Sequence, residues 1–247
     1  MPLCPRPYIQ KVLLRLEVGM SFDDFPFTIP AVRGMNGIEF HPDVTFFVGE
    51  NGSGKSTLLE AIALACGFGP EGGTMNVRFK TADTVSSLYR YLRLIRSYKR
   101  PRDGYFLRAE SFYNVASYMD DVGYLDSYGG KSLHKISHGE AFMTLLTHKF
   151  RGDGFYLLDE PEAALSPSRQ LAALSAIHRL VRENSQFIIA THSPILLSYP
   201  GARIMQFDES GIHEINYEDT EHYVVTRDFL NNYPKRLKYL LGDDGAV

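Results

Sequence analysis

The feature that most constrains this chain is an apolar run, residues 44–48, that breaks directly into a glycine-rich loop. Residues 49–56 have the sequence GENGSGKS and fit the phosphate-binding pattern G-x-x-x-x-G-K-[ST]. Glycines let consecutive backbone N–H groups converge on a polyphosphate, and a helix that follows presents the positive end of its dipole. An apolar helical pattern over residues 57–66 predicts such a helix. Strand, loop and helix in this order favour a nucleotide site over a glycine-rich turn with an incidental lysine.

Two residues of this loop have specific expected roles. Lys55 would reach the β- and γ-phosphates of a nucleoside triphosphate, and Ser56 would place its hydroxyl on Mg²⁺. The other cofactor-binding candidates of the loop are Gly49, Glu50, Asn51, Gly52, Ser53, Gly54 and Thr57.

Length and composition favour one soluble α/β domain that spans residues 1–247. A net charge of −3 makes no global demand for nucleic acid or an anionic membrane. Cys4 and Cys66 are too few for a disulfide framework or a zinc site, so a reducing, cytoplasmic location is expected. No apolar run approaches the roughly 20 residues that cross a bilayer. Direct membrane insertion is therefore not expected, and a membrane role would come through a partner.

A second informative stretch is residues 136–140, ISHGE, which precede an apolar helical pattern that continues to Phe150. Ser137 and Glu140 have the spacing of a capping box, which by itself predicts the start of a helix. The functional alternative is an anion site. In that case the Ser137 hydroxyl and the N–H groups around Gly139 would bind the γ-phosphate of a nucleotide on another subunit.

Acidic residues and a histidine follow two further apolar strands. Asp159 and Glu160 come directly after the predicted strand 155–158, and His192 follows the predicted strand 186–190. Ligands of open α/β sheets bind at the carboxyl ends of such strands. We expect Asp159 to hold Mg²⁺, directly or through water, Glu160 to polarise the attacking water, and His192 to contact a γ-phosphate.

Residues 83–97 are predicted to form a helix with one apolar and one basic face. The basic residues of this stretch and its continuation are Arg90, Arg93, Arg96, Lys99, Arg100 and Arg102. They could contact the phosphates of a nucleic acid, or an acidic protein. A solvated helix face is the simpler interpretation and is favoured.

The remaining pattern predicts further elements. Strands are expected at residues 8–16, 105–112, 202–207 and 211–215, and helices at 114–122 and 226–241, with a loop at 127–130. Phe22, Phe25 and Phe27 could stack on adenine, but we expect them in the core.

The ordered motifs resemble those of the ABC-class ATPases, which drive transporters and DNA-repair and chromosome-structure proteins. GENGSGKST is similar to the Walker A loop, SHGE to a degenerate LSGGQ signature, and YLLDEP to Walker B with its catalytic glutamate, Glu160. Residues 162–166 lie at the D-loop position and His192 at that of the switch histidine. The likeness covers roughly residues 40–215.

The resemblance implies an α/β P-loop NTPase fold: an ABC-ATPase-like mixed-sheet core with an antiparallel β element and a short helical subdomain at approximately residues 83–150. It also implies Mg²⁺-dependent ATP hydrolysis with Lys55, Glu160 and His192 as catalytic residues. ABC-class domains pair head to tail, so a homodimer with ATP between its subunits is expected. Ser137, Gly139 and Glu140 would then contact the partner's nucleotide.

The sequence departs from the ABC pattern in three places. His138 replaces a signature glycine, and Glu140 stands where transporter subunits usually have glutamine. No clear Q-loop glutamine is found, and Glu110 or Ser111 is the best candidate for that position. The interval from Lys55 to Ser137 leaves no room for a long coiled coil. The favoured role is a stand-alone ATPase in a nucleic-acid-linked, repair or defence context. The alternatives are the ATP-binding subunit of a transporter and, disfavoured by the intact Glu160, an ATP-dependent clamp or scaffold with negligible turnover.

Overall fold

The computed structural model describes residues 5–15, 22–75, 86–108 and 137–242. Its strands are β1 Ile9–Leu14, β2 Ile38–Glu39, β3 Val44–Gly49, β4 Leu92–Arg96, β5 Asp103–Arg108, β6 Gly154–Asp159, β7 Gln186–Ala190, β8 Arg203–Asp208 and β9 Gly211–Glu214. Its α-helices are α1 Pro30–Arg33, α2 Lys55–Cys66, α3 His138–Thr144, α4 Pro167–Arg182, α5 Pro194–Leu197 and α6 Glu221–Leu241. A π-helical turn, Leu145–Lys149, continues α3.

The centre of the fold is a six-stranded mixed sheet of order β5-β6-β7-β3-β8-β9. Its first five strands are parallel to their neighbours, and β9 pairs antiparallel with β8. Every residue of β3, β6 and β7 is buried. Strands covered on both faces read as continuous apolar runs, which is why the sequence pattern located them.

Alternate residues of these strands pack into two separate cores. Phe46 and Val48 face a cluster that includes residues of α3, α4 and α5. Phe47 faces the opposite side, where the cluster includes Leu58 of α2 and residues of the small sheet. The sheet is therefore the middle layer of three, and α2, which follows the phosphate loop, is packed firmly on one side of it.

The predicted antiparallel element is a three-stranded sheet of order β2-β1-β4. The buried Gln186 side chain connects it to the central sheet. Its Oε1 accepts from Ile9 N at 3.0 Å, and its Nε2 donates to Ile9 O at 3.0 Å and His41 O at 3.1 Å. One amide thus satisfies three backbone groups at the junction of the two sheets.

The prediction of a helix at residues 83–97 is wrong for residues 86–97, which the structure describes. Ser87–Tyr91 form a 3₁₀ turn, and Leu92–Arg96 form β4, paired antiparallel with β1. The apolar residues fit a helical period over the whole stretch, but Leu92 and Leu94 also alternate with Arg93. The open edge of β1 decided between the two periods, because tertiary pairing overrides local propensity.

This correction also changes the predicted basic stripe. Lys99 Nζ lies 2.7 Å from Asp153 Oδ1, and Arg102 Nε lies 3.9 Å from Asp153 Oδ2. Arg96 Nη2 donates to the Ala65 carbonyl at 2.7 Å, at the end of α2. The six cations are therefore not one uncompensated helix face, because an acid distant in sequence pairs with two of them.

Other predicted elements are present with small shifts of their ends. Strand 186–190 is confirmed as β7, and the strands predicted at 8–16, 202–207 and 211–215 are β1, β8 and β9. The last helix begins at Glu221, earlier than predicted. Phe27 is buried and Phe22 partly buried, but Phe25 is 63% exposed, so its assignment to the core is wrong.

Several predictions lie outside the described residues: the Q-loop candidates Glu110 and Ser111, the helix at 114–122 and the loop at 127–130. The subdomain predicted at 83–150 stays a prediction, since its described residues include β4 and β5 of the two sheets. Within the described part of the chain, no helix combines the length and apolarity that a bilayer crossing requires.

We expect Gln186→Leu to lower the free energy of unfolding by about 2–4 kcal/mol, since it leaves buried backbone groups of β1 and the β2–β3 connection without partners. Denaturant titration would measure the loss. Gln206→Leu is the matched control, because the Gln206 amide makes one long contact, 3.5 Å to Phe207 O. Equal stability of the two variants would contradict the junction role.

Candidate nucleotide site

The strand order brings three of the predicted motifs to one edge of the central sheet. β7 lies between β3 and β6, and all three strands are parallel. The loop after β3, the acidic pair at the end of β6 and His192 after β7 therefore leave the sheet at the same edge. This is the edge at which open α/β sheets bind ligands.

The lysine of the phosphate loop bonds to backbone carbonyls at the start of the same loop. Lys55 is buried, and its Nζ donates to the carbonyls of Gly49 and Glu50 at 2.8 Å each. Gly49 has φ 142°, and a Cβ there would lie 2.3 Å from Phe207 O, so β8 requires glycine at this position. Ser53 Oγ is buried without a hydrogen-bond partner in the described residues. The loop thus holds a cation and an unused hydroxyl on its inner side.

Ser56 and Asp159 meet although they are far apart in sequence. Ser56 Oγ donates to Asp159 Oδ1 at 2.8 Å. A hydroxyl and a carboxylate are oxygen ligands that suit Mg²⁺, which usually takes one or two protein carboxylates together with substrate phosphates and water. The described residues contain no group of three or more His, Cys, Asp or Glu placed to hold a metal, and such a magnesium site needs none. The donor set therefore fits Mg²⁺.

Glu160 lies on a strained turn at the end of β6. Its backbone is left-handed, with φ 49° and ψ 52°, a conformation that costs a non-glycine residue on the order of 1–3 kcal/mol. Its N–H donates to Ala190 O at 2.9 Å, which prolongs the pairing with β7. The carboxylate is partly exposed, and Oε1 lies 3.7 Å from His192 Nε2. The turn thus holds the carboxylate beside the histidine.

His192 contacts a second histidine that sequence reasoning did not single out. Its Nδ1 lies 2.9 Å from Nε2 of His222, near the start of α6. Burial, the Lys55 charge and His222 together lower the pKa of His192 to about 4, and burial lowers the pKa of His222. Both imidazoles are therefore neutral at pH 7. Nothing in the local sequence around His222 marks it, because only the fold brings α6 to this edge.

Glu162 is the second site residue to which the sequence analysis gave no role of its own. Its Oε1 accepts from the backbone N of His192, and its Oε2 is buried without a hydrogen-bond partner in the described residues. Burial is the main cause of a raised pKa at Glu162. The position within the predicted D-loop was the available signal. The carboxylate fixes the backbone from which His192 projects.

The ISHGE segment forms the predicted helix start. Ser137 and Glu140 make the capping box: Ser137 Oγ accepts from Glu140 N at 3.3 Å, and Glu140 Oε2 accepts from Ser137 N at 2.9 Å. Arg169 donates to Ser137 Oγ at 3.2 Å and to Glu140 Oε1 at 3.4 Å. Within the described residues, these side chains bond to one another and to Arg169, not to the phosphate loop. The structure therefore does not bring Ser137 and Glu140 into the group around Lys55.

Gly139 is buried against the turn that follows Glu160. A Cβ at Gly139 would lie 2.6 Å from Ala164 O and 2.6 Å from Arg169 Nη1. The close approach of backbone to backbone gives this glycine a structural reason within its own chain.

A cleft of about 500 Å³ opens beside the phosphate loop. Its walls are formed by Glu50, Asn51, His192, Glu221, His222, Val225 and Thr226. The start of α6 therefore faces the loop across this space.

Two family models match the chain, and both are described as AAA domains. The first covers residues 25–111, which include the phosphate loop. The second covers residues 132–198, which include ISHGE, the acidic pair and His192, and its description also names the AbiEii toxin of a type IV toxin–antitoxin system. The residues that carry the motifs are therefore similar to those of AAA-type ATPase domains.

Solved structures similar to this chain include an ATP-binding cassette of an ABC transporter and the SMC head domain from Thermotoga maritima. The first has 16% identity and a TM-score of 0.47, over 92% of this chain and 99% of that one. The second has 16% identity and a TM-score of 0.43, over 85% of this chain and 99% of that one. A comparison with curated proteins found no match.

The lowered pKa of His192 predicts a pH-dependent stability. Between pH 6.5 and about pH 4, the unfolded chain binds a proton at this residue that the folded chain does not bind. The contribution of neutral His192 to the free energy of unfolding is therefore complete above pH 6.5 and is lost as the pH falls. Allowing for partial exposure, we expect the unfolding free energy of wild type relative to His192→Gln to fall by about 1 kcal/mol from pH 7 to pH 4.5.

Denaturant titrations at the two pH values would measure this difference. His213→Gln, at an exposed histidine of β9, is the control and should not reproduce it. A pH-independent difference between wild type and His192→Gln would show that His192 has no such linkage.

Proposed function

We propose that this chain is a P-loop ATPase of the ABC/AAA type, which binds Mg·ATP at the carboxyl edge of its central sheet and hydrolyses it in the cytoplasm. The observation that carries the proposal is the 2.8 Å contact between Ser56 and Asp159, which joins the end of the phosphate loop to the acidic pair. Lys55, Glu160 and His192 lie at the same edge. A phosphate loop, a metal-ligand pair and a candidate base are the parts that phosphoryl transfer to water requires.

Each residue has a distinct part in the proposed reaction. Lys55 and the N–H groups of loop 49–54 hold the β- and γ-phosphates, and Ser56 and Asp159 are the ligands of Mg²⁺. When held by these residues, the ion would neutralise charge that develops on the phosphate oxygens. Glu160 accepts a proton from the attacking water, and the partly exposed carboxylate can be reached by solvent. His192 contacts the γ-phosphate.

We further propose that two copies pair head to tail with ATP between them. Ser137 and Glu140 are exposed and, in the described residues, make no hydrogen bond to the phosphate loop of their own chain. In the family's arrangement, Ser137, Gly139 and Glu140 would contact the nucleotide on Lys55 of the partner subunit. Each nucleotide would then be enclosed by two incomplete half-sites.

We propose nucleic acid as the partner class. A cleft of about 760 Å³ on the small sheet is lined by Arg15, Arg90, Arg93 and Arg96, with Leu13, Leu14, Ala65, Leu92 and Leu94, and none of these lining residues is acidic. Arginines on an open surface bind phosphate backbones. Lys99 and Arg100 flank this surface, although Lys99 is paired with Asp153. The alternative remains the ATP-binding subunit of a transporter.

Replacement of Glu160 tests hydrolysis and pairing together. Glu160→Gln should lower the ATPase rate by roughly 10²–10⁴-fold, because the amide cannot accept the proton of water, while ATP binding is retained. In equilibrium sedimentation, the variant should be a dimer with Mg·ATP and a monomer without it. Glu209→Gln, at an exposed residue of the β8–β9 turn, is the control with wild-type activity.

An unchanged rate in Glu160→Gln would exclude Glu160 as the base. A monomer under both conditions at high protein concentration would exclude the ATP-dependent dimer and leave the assignment of hydrolysis standing.

Charge reversal tests the nucleic-acid surface. Arg90→Glu with Arg93→Glu should abolish any stimulation of the ATPase by DNA or RNA and leave basal turnover unchanged, since both side chains are exposed. Arg182→Glu with Lys235→Glu, on α4 and α6, is the charge-matched control. Equal stimulation of all three proteins would exclude this surface. Co-purification with a multispanning membrane protein would favour the transporter alternative.

A further inference from the structure

We propose that His222 is a positioning residue for the ATPase reaction: it donates a hydrogen bond to His192 Nδ1 and so keeps the proton of His192 on Nε2, where it serves as a donor to the γ-phosphate. The inference rests on the proposed function for the role of His192. It adds a residue from the last helix of the described chain to the candidate site.

The contact is direct and local. His222 Nε2 and His192 Nδ1 are 2.9 Å apart, and the ring centroids are 5.0 Å apart with a 56° angle between planes. Both residues line the 500 Å³ cleft beside Glu50 and Asn51 of the phosphate loop. The pair therefore lies on the wall that a nucleotide in the loop would face.

One proton lies between two neutral rings, so two arrangements are available. If His222 donates, Nε2 of His192 carries a hydrogen. If His192 donates, its Nε2 has a lone pair. His192 Nε2 is buried, has no hydrogen-bond partner in the described residues, and lies 3.7 Å from the Glu160 carboxylate. A lone pair facing a carboxylate is repelled and an N–H is attracted, so the first arrangement is favoured.

The Nε2–H tautomer of His192 is also the one that contact with a γ-phosphate requires. A γ-phosphate offers only acceptor oxygens, so a histidine that binds it must present an N–H. Lys55, whose charge acts on His192, is held by the carbonyls of Gly49 and Glu50 and does not require the lone pair of His192. In neutral imidazoles the partner of one nitrogen decides which nitrogen is protonated.

His222 is itself held firmly at the start of α6. Thr220 caps the helix, and its Oγ1 donates to Tyr217 O at 2.7 Å. The Tyr217 hydroxyl donates to Pro194 O at 2.8 Å, two residues after His192. These hydrogen bonds connect the segment that carries His222 to the segment that carries His192, and they fix the position of one ring relative to the other.

Nitrogen-15 NMR of histidine-labelled protein tests the tautomer without any need for turnover. In wild type, His192 should be the Nε2–H tautomer, with assignment from the loss of its signals in His192→Gln. In His222→Phe, which keeps a ring but no donor, the Nε2–H fraction of His192 should fall, because only the Glu160 carboxylate then favours it. A Nδ1–H tautomer in wild type, or an unchanged tautomer in His222→Phe, would overturn the proposal.

Kinetics tests the consequence for the reaction. His222→Phe should lower kcat about 10-fold, which corresponds to the loss of about one hydrogen bond in the transition state, with KM for ATP within about twofold of wild type. His222→Gln should restore most of kcat, because its amide N–H can donate to His192 Nδ1. The control His213→Phe, at an exposed histidine of β9, should leave kcat and KM unchanged.

A double-mutant cycle separates positioning from a general structural effect. His222→Phe should cause no further loss in a His192→Ala background, since it acts through that ring. An additional 10-fold loss there, or no rescue by His222→Gln, would overturn the proposal. If the wild-type protein does not hydrolyse ATP, the proposed function fails, while the tautomer measurement still decides the role of His222.

Discussion

The candidate site depends on the parallel pairing of β7 between β3 and β6. This order places Asp159 and the phosphate loop on either side of the segment that carries His192, and a carboxylate and a serine more than a hundred residues apart can then form a hydrogen bond. No local sequence signal creates that contact. It arises because three buried strands end at one edge, and each strand is fixed by cores on both of its faces.

The same edge holds polar groups that the described fold leaves unsatisfied. Ser53 Oγ, Glu162 Oε2 and His192 Nε2 are buried and have no hydrogen-bond partner among the described residues. A buried polar group without a partner costs on the order of 1–3 kcal/mol. Together with the left-handed backbone of Glu160, these groups concentrate strain where the nucleotide is proposed to bind. A ligand that satisfies them would stabilise the folded chain by mass action.

The sequence was sufficient for the strands of the central sheet and for the elements that carry its motifs. Continuous apolar runs identify strands buried on both faces, and the capping-box spacing at Ser137 predicts the start of α3. β4 was mistaken for part of a helix because its partner, β1, is distant in sequence. The sequence could not show the Asp153 contacts of Lys99 and Arg102 for the same reason.

The site residues that the sequence missed share one property. His222 reaches His192 from a helix 30 residues further along the chain, and Glu162, although it lies at the D-loop position, acts through the backbone N–H of His192. Motif reasoning finds side chains that must occur at fixed spacing. It does not find side chains whose only requirement is to arrive at a given place in space.

The contact between Gly139 and Ala164 has a consequence for communication between active sites. The start of α3 touches the turn that follows Glu160 so closely that no side chain fits between them. In the proposed dimer, α3 serves the partner's nucleotide, whereas that turn belongs to the chain's own. A close contact between α3 and this turn would couple the two nucleotide sites of the dimer, because a movement at one site would displace residues at the other. The two ATP molecules would then be hydrolysed in a concerted or alternating manner and not independently.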